Sequence, residues 1–388
     1  MIRRITAIFT AVLLSLLPVL AAAESMDMDA QVDQVFRSMK SVGGAFVVAQ
    51  HGEIVYERYY GVQYQKTKQP VTEKSYFKCA SVTKLVTGIG IMKMMDEGLL
   101  DPDEDISTYL GYTVRNKRYM DTPITLRHLM SHTAGMVENS SFSHKSSILS
   151  DMIDIKKKAG SNFKSKVRPG SEYTYSNFGA GITGAIVEAV TGKDVSTYMR
   201  ESLFAPLGID AAYHVSQLAE PEYICATYKK DGSLYAAPSY MLRQEYAAEA
   251  NPDIHYRTTI GSLQIRPRDL AKLGIVICGD GTIGGQRVLS EEAIAMMRAE
   301  HSKETDGITS KSPYSFFTIR QDTLFEGRRV YGHQGTDEGI VCNLYVEPES
   351  ELVIVVMTNG CRSGRENGIM RICRKLAAIA EEAYLKTE

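Results

Sequence analysis

A serine and a lysine stand three residues apart where a long apolar segment begins: Ser81-Val-Thr-Lys84. On a helix, positions three apart share a face, so the hydroxyl and the amine can meet. A serine hydroxyl is a weak nucleophile until a base takes its proton, and a lysine can be that base only where its surroundings favour the neutral amine. The same spacing occurs three times, also at Ser75 to Lys78 and Ser161 to Lys164. Ser161 falls in a Lys, Ser and Gly rich loop whose basic residues read as a solvated face, and Ser75 has no helix face following it. Ser81 opens one: Val82 to Leu100 carries Leu85, Val86, Ile89, Ile91, Met92 and Leu99, a pattern that predicts a largely buried helix.

Two further signals stand downstream. Tyr175-Ser176-Asn177 follows Pro169-Gly170 and precedes a glycine-containing apolar segment, and it is the only Tyr-x-Asn in the chain. His333-Gln334-Gly335, the only His-x-Gly, closes a predicted strand. Singly these read as aromatic packing, a helix cap and a turn. The histidines form neither His-Glu-x-x-His nor a cluster of ligands, so no metal and no cofactor are expected.

In this order the three elements resemble the active-site motifs of the penicillin-recognising serine hydrolases: class C β-lactamases, D-Ala-D-Ala carboxypeptidases, D-aminopeptidases and related esterases. The resemblance extends to Ile124–Met136, Ala205–Ile209, Gly261–Ala271 and Val355–Gly360, and with the three motifs it spans most of the chain in family order. It implies that Ser81 is the nucleophile of an acyl-enzyme and that Lys84 and Tyr175 move its proton, as a coupled pair that shares a proton and in which the general base is not assigned to either one. It makes Asn177 a residue that orients Lys84 and the substrate amide. The backbone N–H groups of Ser81 and Thr336 become the oxyanion hole, with the strand after Gly335 alongside the substrate. The loop of His132 becomes scaffold. Many such proteins carry Lys-Thr-Gly where this chain has His333-Gln334-Gly335, which exchanges a permanent cation for a group mostly neutral at pH 7. That shifts the expected substrate toward neutral or amine-bearing esters and amides; Asp337 and Glu338, just beyond the strand start, read first as solvated turn residues and second as partners for a substrate amine. A D-Ala-D-Ala carboxypeptidase or class C-like β-lactamase is the alternative enzyme, and a catalytically silent binding protein the alternative of another class. The pocket walls are expected from about 140–168 and 223–255.

The positioning elements follow from pattern. Gly44–Gln50 and Glu53–Tyr60 around His51-Gly52 read as a hairpin, and 101–259 as helical pieces between loops. Helices are predicted at Arg268–Cys278, from Ser290, and over about 366–384; strands at Tyr314–Arg320, Arg328–Gly332, Gly339–Val346 and Leu352–Thr358. The expected fold is α/β in the α+β sense. An antiparallel sheet covered by helices is formed by the N- and C-terminal parts, about 24–100 and 260–388, around a mainly helical insert of about 101–259.

Ahead of these, Met1 to Ala23 has Arg3 and Arg4, an apolar run from Ile5 to Leu20 and Ala21-Ala-Ala23, the pattern of an export signal cut near Ala23. The expected location is periplasmic or secreted, without a stable membrane anchor. Loss of Arg3 and Arg4 takes the formal charge from −2 to −4, which offers no basic surface to a nucleic acid. The expected partner is a small ester, amide or D-amino-acid peptide substrate. Six cysteines permit disulfides without specifying any, and a chain this long can build a core without them.

Overall fold

The computed structural model describes residues 27–139, 142, 147–157, 162–302 and 313–386, and the expected signal at 1–23 lies outside them. Seven strands form one sheet: β1 (Gly43–Gln50), β2 (Glu53–Tyr64), β3 (Gln69–Pro70), β4 (Ile319–Arg320), β5 (Tyr331–Asp337), β6 (Ile340–Glu347) and β7 (Leu352–Thr358). Their order is β4-β5-β6-β7-β1-β2-β3, and every neighbour is antiparallel. His51 and Gly52 both take positive φ, the two-residue turn whose twist suits a hairpin, and they set Gln50 opposite Glu53. β1 then pairs with β7, from Gly44 opposite Thr358 to Ala49 opposite Val353, which joins the two ends of the chain.

Alternation along the central strands decides the layers. Val47, Ala49, Leu344, Val346, Val353, Val355 and Met357 share one core with α2 (Val82–Asp96) and α4 (Pro267–Cys278). Phe46, Val48, Tyr345, Ile354 and Val356 face the other way, onto α1 (27–38) and α5 (Arg371–Tyr384). Both faces are dry, which explains why 352–357 is continuously apolar rather than alternating. Each fully buried Val, Leu or Ile contributes about 1.5–3 kcal/mol. Among the described residues between Asp101 and Thr259 lie short helices, the long α3 (Asn177–Thr191) and brief strands such as Ala211–Ala212.

Several boundaries differ from the pattern, among them the end of β2, which runs on from the expected Tyr60 to Tyr64. Only Ile319–Arg320 of the predicted strand at 314–320 pairs with β5, because Phe317 turns at positive φ and the Ser315 N–H donates to the Thr318 carbonyl. Instead of stopping at Gly332, β5 runs on to Asp337, paired with β6 from Tyr331 opposite Val346 to Asp337 opposite Ile340. The last helix starts at Arg371, since Arg365–Glu366 and Ile369–Met370 pair across Asn367-Gly368, both at positive φ. All six cysteines are free, buried thiols.

Candidate active site

Ser81 is the cap residue of α2, yet its side chain makes no capping bond. Its hydroxyl is therefore available to groups from elsewhere. Ala80, just before it, is buried at φ +46°, a conformation that costs an L-residue on the order of 1 kcal/mol and marks the turn from strand Phe77–Lys78 into α2. One turn on, Lys84 Nζ lies 3.1 Å from Ser81 Oγ and donates to the Ile260 carbonyl at 2.7 Å. Lys84 is fully buried. Burial pulls its ammonium down to about 7, with the Glu138 carboxylate pulling the other way.

The Tyr175 hydroxyl donates to Ser81 Oγ at 3.1 Å. Burial pushes its phenol up to about 12, although the Ser81 hydrogen bond opposes this. Tyr175 is thus held as a phenol, beside a buried amine whose charged form is disfavoured. Burial disfavours the charged form of both members of the pair, the ammonium of Lys84 and the phenolate of Tyr175.

Two glycines permit this convergence. A Cβ on Gly335 would stand 2.3 Å from the Cys79 carbonyl oxygen and 2.7 Å from the Ser81 nitrogen, so only glycine lets β5 run this close to the Ser81 turn. A Cβ on Gly181 would stand 2.2 Å from the Tyr256 carbonyl oxygen. That glycine lets the segment carrying Ile260 close on α3.

Ser81, Asn177 and Thr336 face one open cleft of about 370 Å³, with Lys78, Ala80, Arg257, Ile260, Gly261, Ser262 and Asp337. Its walls include Arg257 and 260–262 rather than the expected 223–255, because the short helix Thr258–Gly261 packs on both α2 and α3. Of the other expected wall, 140, 141, 143–146 and 158–161 lie outside the described residues. Asn177 reaches the cleft, but among the described residues Lys84 bonds to Ser81 and to the Ile260 carbonyl, which takes the place expected for Asn177. His333 is not in the cleft wall: it is buried behind it, with both ring nitrogens engaged by Tyr314 and Gln334. The rejected pairs come apart. Ser75 Oγ accepts from Gln63 and from the Thr72 N–H, while Lys78 pairs with Asp337 at 2.5 Å; Ser161 lies outside the described residues.

With this geometry in place, the Beta-lactamase family profile matches residues 29–378. The chain belongs to the Beta-lactamase family. Among curated members it is 29% identical to esterase EstB of Burkholderia gladioli over 54% of this chain, and 22% identical to penicillin-binding protein 4* of Bacillus subtilis (strain 168) over 80% of it. The matches span 55% and 61% of the lengths of those two relatives. A class C beta-lactamase of Rhodobacter sphaeroides superposes with a TM-score of 0.69 at 15% identity, over 92% of this chain and 99% of that one, and so has the same fold.

Within this Beta-lactamase family member, several groups at the site escaped the motifs. Glu138 Oε1 accepts from the N–H groups of Asn177 at 2.5 Å and Phe178 at 3.1 Å, where the positive end of α3 favours an anion. The Ile260 carbonyl and the Lys78–Asp337 pair were invisible because neither belongs to a local spacing. His132, assigned to scaffold, packs its ring 4.3 Å from that of Tyr175.

Proposed function

We propose that this protein is an exported, metal-independent serine hydrolase that cleaves small esters or amides through an acyl-Ser81 intermediate. The observation that carries the reading is the approach of both Lys84 Nζ and Tyr175 Oη to Ser81 Oγ at 3.1 Å, at a cleft open to a substrate. The unprotonated Lys84 amine takes the Ser81 proton as Oγ attacks the carbonyl carbon. The oxyanion that forms is held by the Ser81 and Thr336 N–H groups, each such donor being worth about 3 kcal/mol of barrier. As the tetrahedral intermediate collapses, the bond to the leaving alkoxide or amine breaks. Tyr175 donates the proton to that group and is resupplied from Lys84. Water then attacks the acyl-Ser81 ester by the reverse sequence and restores the serine.

Two features beside the reacting serine support a neutral substrate. Asp337 neutralises Lys78 at the wall, and His333 turns its ring nitrogens inward. A second reading, a D-Ala-D-Ala carboxypeptidase or class C-like β-lactamase, draws support from the likeness to penicillin-binding protein 4* of Bacillus subtilis (strain 168). Export rests on the leader pattern at 1–23, and the fold offers no described helix long and apolar enough to cross a membrane.

A fluorescent penicillin and a reactive phosphonate ester, each applied to wild type and to Ser81→Ala, separate the readings. Phosphonate labelling alone is expected. Labelling by both reagents supports the penicillin-active enzyme, and labelling by neither a binding protein. Covalent labelling that persists in Ser81→Ala overturns the nucleophile.

A further inference from the structure

Behind Tyr175 lies a buried chain of three polar side chains that the reaction as described leaves unused. His132 Nε2 is 3.2 Å from Tyr314 Oη, and Tyr314 Oη is 2.7 Å from His333 Nε2. His132, Tyr314 and His333 are 2%, 1% and 2% exposed, so water does not complete their bonding. Each end is tied to a backbone group, a donor at His132 and an acceptor at His333. At one end the Ser176 N–H donates to His132 Nδ1 at 3.3 Å, so that nitrogen is an acceptor and the proton of the neutral ring sits on Nε2. At the other end His333 Nδ1 lies 2.8 Å from the Gln334 carbonyl oxygen, which can only accept, so His333 carries its proton on Nδ1. One arrangement satisfies every atom: His132 Nε2–H donates to Tyr314 Oη, and Tyr314 O–H donates to His333 Nε2. A second proton on His333 would set two N–H donors against the same phenol oxygen and leave the phenol hydrogen without an acceptor.

The array is attached to the catalytic elements at both ends. The Thr174 N–H donates to the His132 carbonyl at 2.7 Å and the Ser176 N–H to its ring, so the residues on either side of Tyr175 are both held by His132. The Tyr175 ring lies on the His132 ring at 4.3 Å. His132 holds this place at φ +57°. The far end, His333, lies in β5, the strand that carries Gly335 and Thr336 past Ser81.

We propose that His132, Tyr314 and His333 are positioning residues whose single proton arrangement holds Tyr175 against Ser81 and keeps the His-x-Gly element from presenting an N–H or a cation to the substrate. This rests on the reading of Ser81 and Tyr175 given above, and it accounts for the neutral substrate preference through a bonding pattern rather than through the chance protonation of a histidine. Burial acts in the same direction, holding the His333 imidazolium down to about 3.

The proton positions are read by long-range ¹H–¹⁵N correlation of the histidine rings in the full chain at pH 7, with signals assigned from single His132→Asn and His333→Asn variants. His333 is expected in the Nδ1–H tautomer, uncommon for a free ring, and His132 in the Nε2–H tautomer. A doubly protonated His333, or an Nε2–H tautomer there, overturns the proposal. In Tyr314→Phe, which keeps the ring and removes the central hydroxyl, kcat for ester hydrolysis is expected to fall about tenfold, the worth of one well-placed hydrogen bond, with KM within about twofold. An unchanged kcat, or a change confined to KM, overturns it as well. Should that variant not fold, the tautomers of the wild type still decide. They also survive a failure of the nucleophile assignment, which Ser81→Ala labelling detects separately.

Discussion

Lys84 stands where an ammonium is hard to keep: it is fully buried and, among the described residues, its amine bonds to one hydroxyl and one carbonyl. The folded protein therefore holds it at about 7, far below an ordinary lysine. A base must be unprotonated to act, so kcat/KM for a neutral ester is expected to rise about tenfold per pH unit below pH about 7 and to level off above it. A pH–rate profile with a neutral p-nitrophenyl ester checks this, and a profile flat from pH 5 to 8 would remove Lys84 as the base. Lys84→Met fills the same space without the amine and is expected to lose that limb together with about 10²–10⁴ of the rate. Tyr175→Phe keeps the ring on His132 and removes the donor to the leaving group. It should cost about 10² in kcat for a substrate with a poor leaving group and less for a nitrophenyl ester, as paired kinetics would show.

Elements bring these side chains within reach only because two of them approach unusually closely. β5 passes the Ser81 turn at a distance that no Cβ on Gly335 could share with the Cys79 carbonyl. Gly335→Ala is accordingly expected to destabilise the protein by about 1–3 kcal/mol, through forced displacement of backbone rather than of a flexible side chain. Its phosphonate labelling should slow at least about hundredfold, since a shift of about 1 Å in reacting groups is that costly. Thermal unfolding and labelling rates measured on one preparation check both effects; wild-type labelling would mean that the strand does not border the reacting serine. α2 itself follows from pattern, with its apolar residues buried on nearly every side and its end at Gly98 in the left-handed conformation that glycine tolerates.

Across the whole molecule the two dry faces of the sheet hold the fold without covalent staples. The six thiols are buried, and Cys225, Cys342 and Cys373 are pushed well up by burial, away from the reactive thiolate. Native protein is expected to take up little iodoacetamide, and the denatured chain six adducts, by intact-mass measurement. Rapid native uptake would contradict the burial. A mature N-terminus at Glu24 in exported protein, read by the same method, checks the leader.

What the amino-acid order determined by itself is what depends on neighbours a few residues apart. The alternating and continuous apolar runs specify the central strands, and the three-residue spacing of Ser81 and Lys84 places them on one helix face. The succession of Ser-x-x-Lys, Tyr-x-Asn and His-x-Gly marks the family. Strand and helix ends such as 331–337 and 371 were less legible, since pairing partners rather than composition set them. Only the tertiary structure decided which groups surround the serine. Tyr175 comes to Ser81 from 94 residues away, the Ile260 carbonyl to Lys84 from 176, and Tyr314 to His132 from 182. Contacts of that range are chosen by the packing of whole elements and by where a glycine lets two backbones touch. The same packing turned His333 from a presumed substrate contact into the buried end of a hydrogen-bonded array.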